Sequence, residues 1–160
     1  MSERLGSGWD VPAEVRDHVV FHWFHIGPGT RRKFCVLSRA PVWYVGHFDH
    51  GRMRQCVGAA CEHCAHGTGK QIRYVVSVVD LESRQLGVVE ISASLADDIK
   101  VAAERNGGLR GLLMSMGKAS KAKQSRTEVQ FMGDVPPEWT FDLEPLNLRE
   151  VLEKTWDRLG

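Results

Sequence analysis

The chain lacks any run approaching the ~20 uninterrupted apolar residues that a helical membrane span requires, so no membrane partner is expected. Its opening stretch, MSERLGSGWDVPAE, lacks the basic-then-apolar order of an export signal, and a cytoplasmic location is the expectation. Cysteine is scarce, with four in 160 residues. In a reducing compartment those thiols favour metal over disulfide. An excess of one charge is also missing, since 21 bases face 20 acids for a net of +1. The fragment Gly67-Thr68-Gly69-Lys70 lacks the Gly-x4-Gly-Lys-Ser/Thr spacing of a phosphate loop, which argues against nucleotide hydrolysis.

What the chain does have is a concentration of ligand-type residues between Val42 and Gly67, VWYVGHFDHGRMRQCVGAACEHCAHG. Cys56, Cys61 and Cys64 form a Cys-x4-Cys-x2-Cys array, and structural zinc sites close a tetrahedron with thiolates and imidazole. One histidine would complete the set. A two-residue turn at His50-Gly51 pairs His47 with Arg54 and Val45 with Cys56, so His47 and Cys56 become diagonal neighbours on one ribbon face. That register favours His47, with His50 next and His63 or His66 inside or just past the knuckle. The fourth cysteine, Cys35, lies in the apolar run Phe34 to Leu37 and reads as a small buried hydrophobe.

The balanced net charge conceals an uneven distribution. From Asp134 onward seven acids face three bases, whereas the preceding 133 residues carry 18 bases and 13 acids. A basic body with an acidic end suits a polyanionic ligand. Strands are expected over Val15 to Ile26, Phe34 to Ser38 and Val42 to Phe48, followed by a long hairpin of Arg73 to Leu81 and Leu86 to Ser92. A helix capped by Ser94 follows, with Asp97 and Asp98 in its first turn and Leu95, Ile99, Ala102 and Ala103 as its apolar stripe. Asn106-Gly107-Gly108 should stop it. Two more strands, Leu109 to Met116 and Thr127 to Met132, flank the loop 117–126, which carries four bases and no acid. Beyond Pro136-Pro137, the spacing of Leu148, Val151, Leu152, Thr155, Trp156 and Leu159 predicts an amphipathic helix that folds back or engages another protein.

A mainly β body with this order of strands, helix and strands predicts an OB-fold barrel over residues 1–133, with a zinc ribbon inserted at about 47–66. Residues 134–160 would be an acidic linker and helix. The segments HFDHGRMRQCVGAACEHC, RYVVSVVDLESRQLGVVEIS and GLRGLLMSMGKASKAKQSRTEVQF resemble the zinc-containing single-stranded-DNA-binding proteins of tailed bacteriophages. That resemblance spans roughly residues 30 to 133. It implies one structural Zn2+ held by His47, Cys56, Cys61 and Cys64, and a bacterial or phage-infected host cell as the setting. It also implies a non-enzymatic role in coating single strands during replication or recombination. The long acidic tail with which that family often recruits replication proteins is replaced here by a predicted helix.

Single-strand binders combine a cationic groove with aromatic platforms. Groove candidates are Arg31, Arg32, Lys33, Arg52, Arg54, Lys70, Arg73, Lys118, Lys121, Lys123 and Arg126, and stacking candidates are Trp43, Tyr44, Phe48 and Tyr74. The expected partner is single-stranded DNA or RNA, with replication or recombination proteins or a second copy reached through the C-terminal helix. A zinc-ribbon adaptor working through protein contacts is the alternative. A zinc deaminase is disfavoured because the His-x-Glu and Pro-Cys-x2-Cys signature is absent.

Overall fold

A computed structural model describes residues 22–49, 52–56, 58–67, 69–118 and 127–159. Its organising strand is β5 (Lys70–Asp80), whose KQIRYVVSVVD sequence is rich in the β-branched residues that suit a pleated surface. From Val75 onward every residue of β5 is buried, so neighbours cover both faces. One edge pairs with β6 (Leu86–Ser92), from Arg73↔Ser92 to Val79↔Leu86. The other edge is shared. β2 (Arg31–Val36) pairs antiparallel with its end at Val78–Asp80, and β3 (Val42–Asp49) with its start at Lys70–Val75.

The sheet continues from β2 to β7 (Leu113–Lys118) and β8 (Thr127–Met132), while β1 (His22–Trp23) pairs parallel with β6 at the opposite edge. The path is therefore β1-β6-β5-β2-β7-β8, with β4 (Arg52–Gln55) extending β3 as a side branch. Among the described residues no pairing joins β1 to β8, so the sheet is open at that seam.

Each face has its own cover. Phe24, Phe34, Val36, Val76, Val78, Val89, Met114 and Met116 form one core, which α2 (Ala93–Asn106) closes with Ile99, Leu95, Ala96 and Ala102. The opposite face carries Tyr44, Val75 and Val88, against which α3 (Leu148–Leu159) packs Leu148, Val151 and Leu152. Cys35, Leu37, Val79 and Leu113 continue that face beneath Trp139 and Leu143. Cys35 is thus the buried hydrophobe expected. Arg110 holds the covering segment down by donating to Leu37 O at 3.0 Å and Leu143 O at 2.7 Å. No helix among the described residues is long and apolar enough to cross a membrane.

Several boundaries shift from their sequence expectations. α2 takes Ser92 rather than Ser94 as its N-cap, which moves Asp97 and Asp98 out of the first turn and brings Ala96 into the stripe. Its end is as expected, with Gly107 in the left-handed region at φ 83°. The following strand begins at Leu113 rather than Leu109, since Gly111 at φ 90° turns the chain first. β2 starts earlier because Arg31, Arg32 and Lys33 pair with Gly117, Met116 and Ser115 of β7. Of the strand expected over Val15 to Ile26, only the part from residue 22 is described.

The docked C-terminal helix is part of the core, since Val151 is fully buried and Leu152 nearly so. Leu152→Ala should therefore cost about 2–5 kcal/mol of unfolding free energy in urea titration. A loss under about 0.5 kcal/mol, typical of surface changes, would mean that the helix is only loosely laid on the sheet.

Candidate metal centre and its flanking surfaces

The β3–β4 hairpin has the register that the sequence predicts. His47 pairs with Arg54, Asp49 with Arg52, and Cys56 N donates to Val45 O at 2.8 Å. Gly46 makes the close approach possible, because a Cβ there would lie 2.8 Å from Met53 Cε and 2.9 Å from Arg54 O. Beyond Cys56 the chain turns through Gly58 at φ 85° and a 3-10 turn, Gly58–Ala60. It then enters the single-turn helix α1 (Glu62–Ala65) with Cys61 at its N-cap. Cys61 and Cys64, three residues apart across that turn, consequently project to one side.

His47, Cys56, Cys61 and Cys64 converge there, with all their ligand atoms within 4.8 Å of one another, and could hold a metal ion. His47 Nε2 lies 3.5 Å from both Cys61 Sγ and Cys64 Sγ, and Cys56 Sγ lies 3.6 Å from Cys64 Sγ. These separations are far longer than a disulfide's ~2.05 Å. His47 is fully buried and its Nδ1 lies 3.1 Å from Gly69 O. A carbonyl can only accept, so Nδ1 carries the proton and Nε2 presents its lone pair to the thiols, the outer hydrogen bond that orients a metal-binding imidazole.

The thiols differ in their surroundings. The Gly58 backbone N–H and the His47 ring draw the Cys56 thiol below its ordinary value, whereas burial and the neighbouring Cys56 and Cys61 sulfurs push Cys64 up. Three sulfurs so close cannot all ionise without a compensating cation, and thiolate ligands bind metal in the deprotonated form. Of the other histidines considered, His66 is exposed and its Nδ1 donates to Glu62 O at 2.8 Å. His50 and the side chain of His63 lie outside the described residues.

The candidate nucleic-acid residues fall into separate groups. Trp43, 63% exposed, shares a face of β3 with Val45 and His47. The register sets Tyr74, Ile72 and Lys70 of β5 opposite these three, and Arg54 opposite His47 on the other side. Ile72 is 48% exposed, while Tyr74 is half-buried and packs against the core cluster that α2 closes. Tyr74 is therefore not a free platform. Tyr44 is not one either, being 8% exposed with its hydroxyl donating to Glu90. Burial, then the hydrogen bond to Glu90 and its charge, push the Tyr44 phenol far up, so it remains a donor. Phe48, 54% exposed, faces the other side of β3 from Trp43 and lines a crevice with Tyr44, Arg73 and Lys118.

Arg31, Arg32 and Lys33 lie near the far end of β5, roughly 33 Å of strand from Lys70. Arg31 donates to Ser115 Oγ at 3.1 Å, and Arg32 pairs with Asp80 at 3.3 Å while lying over Phe24. Only Lys33 of the three has no such side-chain contact among the described residues. Lys121, Lys123, Arg126 and the side chain of Arg52 lie outside the described residues. Sequence reasoning passed over Ile72 and Glu90. Neither carries a motif, and their placement follows from pairing with β3 and from Tyr44. No family model, curated protein or solved structure matches the chain.

Two expectations follow from this geometry. Purified protein should carry one divalent ion per chain by elemental analysis, and Cys61→Ser should lose it and raise the reactive-thiol count under native conditions. The second concerns Asp80. Burial raises its carboxyl, but the Ser83 and Glu82 backbone N–H groups and the Arg32 guanidinium outweigh that and hold it below the ordinary range. A depressed folded-state value stabilises the protein above the unfolded carboxylate value of about 3.9, and that stability is lost as pH falls below it. Asp80→Asn should remove this acid-side slope in stability measured against pH. An unchanged slope would assign the acid sensitivity to other carboxylates.

Proposed function

We propose that this chain is a zinc-stabilised, non-enzymatic binder of single-stranded nucleic acid, single-stranded DNA being the expected substrate. Zinc is supported by the donor set and its spacing. With Zn–S near 2.3 Å and Zn–N near 2.0–2.1 Å, a tetrahedron has edges of about 3.8 Å between sulfurs and about 3.6 Å between sulfur and nitrogen. The corresponding separations here are 3.6 Å and 3.5 Å. Soft thiolates disfavour magnesium and calcium. Three thiolates and an imidazole also complete a structural zinc site, which leaves no position for a reacting water.

The observation that carries the nucleic-acid reading is the surface beside that centre. Trp43 and Ile72 stand out from a strand face that ends in Lys70 and Arg54. An exposed indole with cations along the same strands offers a base a stacking surface and its phosphates a counter-charge. Tryptophan left in water without a partner is costly, and such patches mark interaction sites. The order of β-strands, with α2 between the β5–β6 hairpin and β7, supports an OB-type barrel whose seam between β1 and β8 stays open.

The same apolar patch is what a zinc-ribbon adaptor would show to a protein, so salt dependence separates the two readings. A labelled thymine oligomer should bind with an affinity that falls steeply as salt rises. Trp43→Ala should weaken that binding by about 1–3 kcal/mol, the range for loss of one base stack, without altering metal content. Absence of binding to any single strand at low salt would leave the adaptor.

A further inference from the structure

The open seam has contents of its own. Where β1 ends at Trp23, the outer edge of β6 has no further strand partner among the described residues, and a crevice of about 770 Å³ opens between it and the ends of β7 and β8. That volume lies within the ~300–1,000 Å³ of small-ligand sites. Trp23 and Phe48 contribute aromatic walls, Arg73 and Lys118 contribute cations, and Glu90 and Tyr44 form the polar group between them. Lys118 at the end of β7 and Thr127 at the start of β8 both stand at the crevice.

Resting on the nucleic-acid reading above, we propose that this crevice receives one base of the bound strand and that Glu90 makes it selective for guanine. Guanine is the one common base with two adjacent donors, N1–H and the N2 amino group, on its pairing edge. A carboxylate accepts such a pair of hydrogen bonds side by side, and it has about four lone-pair sites. The Tyr44 hydroxyl, a donor to Glu90 Oε1, takes one of these and steadies the carboxylate. Adenine and cytosine place a ring-nitrogen acceptor beside their amino group, and thymine flanks its N–H with two carbonyls. Each would therefore turn a lone pair toward the Glu90 carboxylate. Aromatic walls accept any base, so selectivity falls to the polar group. The Arg73 guanidinium lines the same crevice and supplies a positive charge for the phosphate of the same nucleotide. One of its terminal nitrogens donates to Gln71 at 2.7 Å, which positions it along β5.

The test compares thymine oligomers carrying a single central guanine, inosine or adenine at fixed salt. The guanine oligomer should bind about tenfold more tightly than the adenine one, within the range a two-bond base contact supplies, with inosine between them because it lacks the N2 amino group. Glu90→Gln should bring the guanine-to-adenine ratio to about one while leaving the melting temperature near that of the parent. Tyr44→Phe should keep the ratio, since it removes Glu90's neighbour but not its charge. Were Glu90 and Tyr44 only a structural pair, the two substitutions would behave alike. Equal affinity for guanine and adenine in the parent protein, or a ratio that survives Glu90→Gln, would overturn the proposal. Guanosine monophosphate, titrated calorimetrically against adenosine monophosphate, probes the crevice without the strand. If no oligomer binds but guanosine monophosphate does so through Glu90, the single-strand reading fails and the crevice stands. If oligomers bind and neither selectivity is seen, the crevice assignment alone is lost.

Discussion

Eleven consecutive residues of β5 need hydrogen-bond partners on two edges, and the manner in which they obtain them dictates the rest of the molecule. β6 satisfies one edge from Arg73 to Val79 through a hairpin. The other edge is too long for one short strand, so β2 takes the Asp80 end and β3 the Lys70 end. Unpaired buried backbone groups are costly, and this division avoids them, but the chain must break between Val36 and Val42 to move from one half to the other. Ser38 mends that break, its backbone N–H donating to Ser77 O and its hydroxyl accepting from Ser77 N at 2.7 Å. Ser77 in turn uses its own hydroxyl to accept from Leu146 N, tying the C-terminal segment to the centre of the sheet.

The two halves of β5 lie in different environments. Around Val75 to Asp80, apolar side chains on both faces are covered by α2 and by the C-terminal segment. Around Lys70 to Ile72 the residues are exposed. The outer part of the β3–β4 hairpin, from Gly46 onward, has Phe48 and Met53 as the large apolar residues of its strands, and among the described residues β4 pairs only with β3. A small element of this kind cannot bury enough surface to order itself. The His47–Cys56–Cys61–Cys64 cluster could hold a metal ion, which would substitute for a core because the free energy of binding a structural metal is folding free energy.

Much of this arrangement was legible in residue order, for identifiable reasons. Period-two alternation and a two-residue turn determine a hairpin's register, so the meeting of His47 with Cys56 followed from counting alone. The Cys-x2-Cys spacing spans less than one helical turn and permits few geometries. The apolar stripe of α3 likewise called for a cover, on this body or on another protein, and the structure supplies it from the sheet. Which side of each adjacent aromatic pair would be covered could not be read locally, because Tyr44 is buried by Leu148, Val151 and Leu152, a hundred residues away in the chain. Tyr74 is half-buried against the core cluster that α2 closes, again through residues distant in the chain. The cations were misleading in another way. Composition places them in one basic body, whereas the length of β5 separates Arg31 to Lys33 from Lys70, and Asp80 and Ser115 engage two of the three.

The metal centre has a further structural consequence because β3 presents different groups on its two faces. Trp43 and His47 lie on the face that continues to Ile72 and Lys70, while Tyr44 and Phe48 lie on the face toward Arg73 and Met53. A metal ion held by this cluster would tie His47 of β3 to Cys56 beyond β4, and would thereby fix the twist of this ribbon and the position of both aromatic sets. Gly46 sharpens the constraint, since its missing side chain lets Tyr44 and Met53 close in directly behind His47. Displacing the imidazole would therefore disturb the platform at Trp43 and the crevice wall at Phe48 together. Two surfaces on opposite faces of one strand share a single mechanical support, and a nucleic-acid strand that engaged both would have to pass around the short β4 edge that this support holds in place.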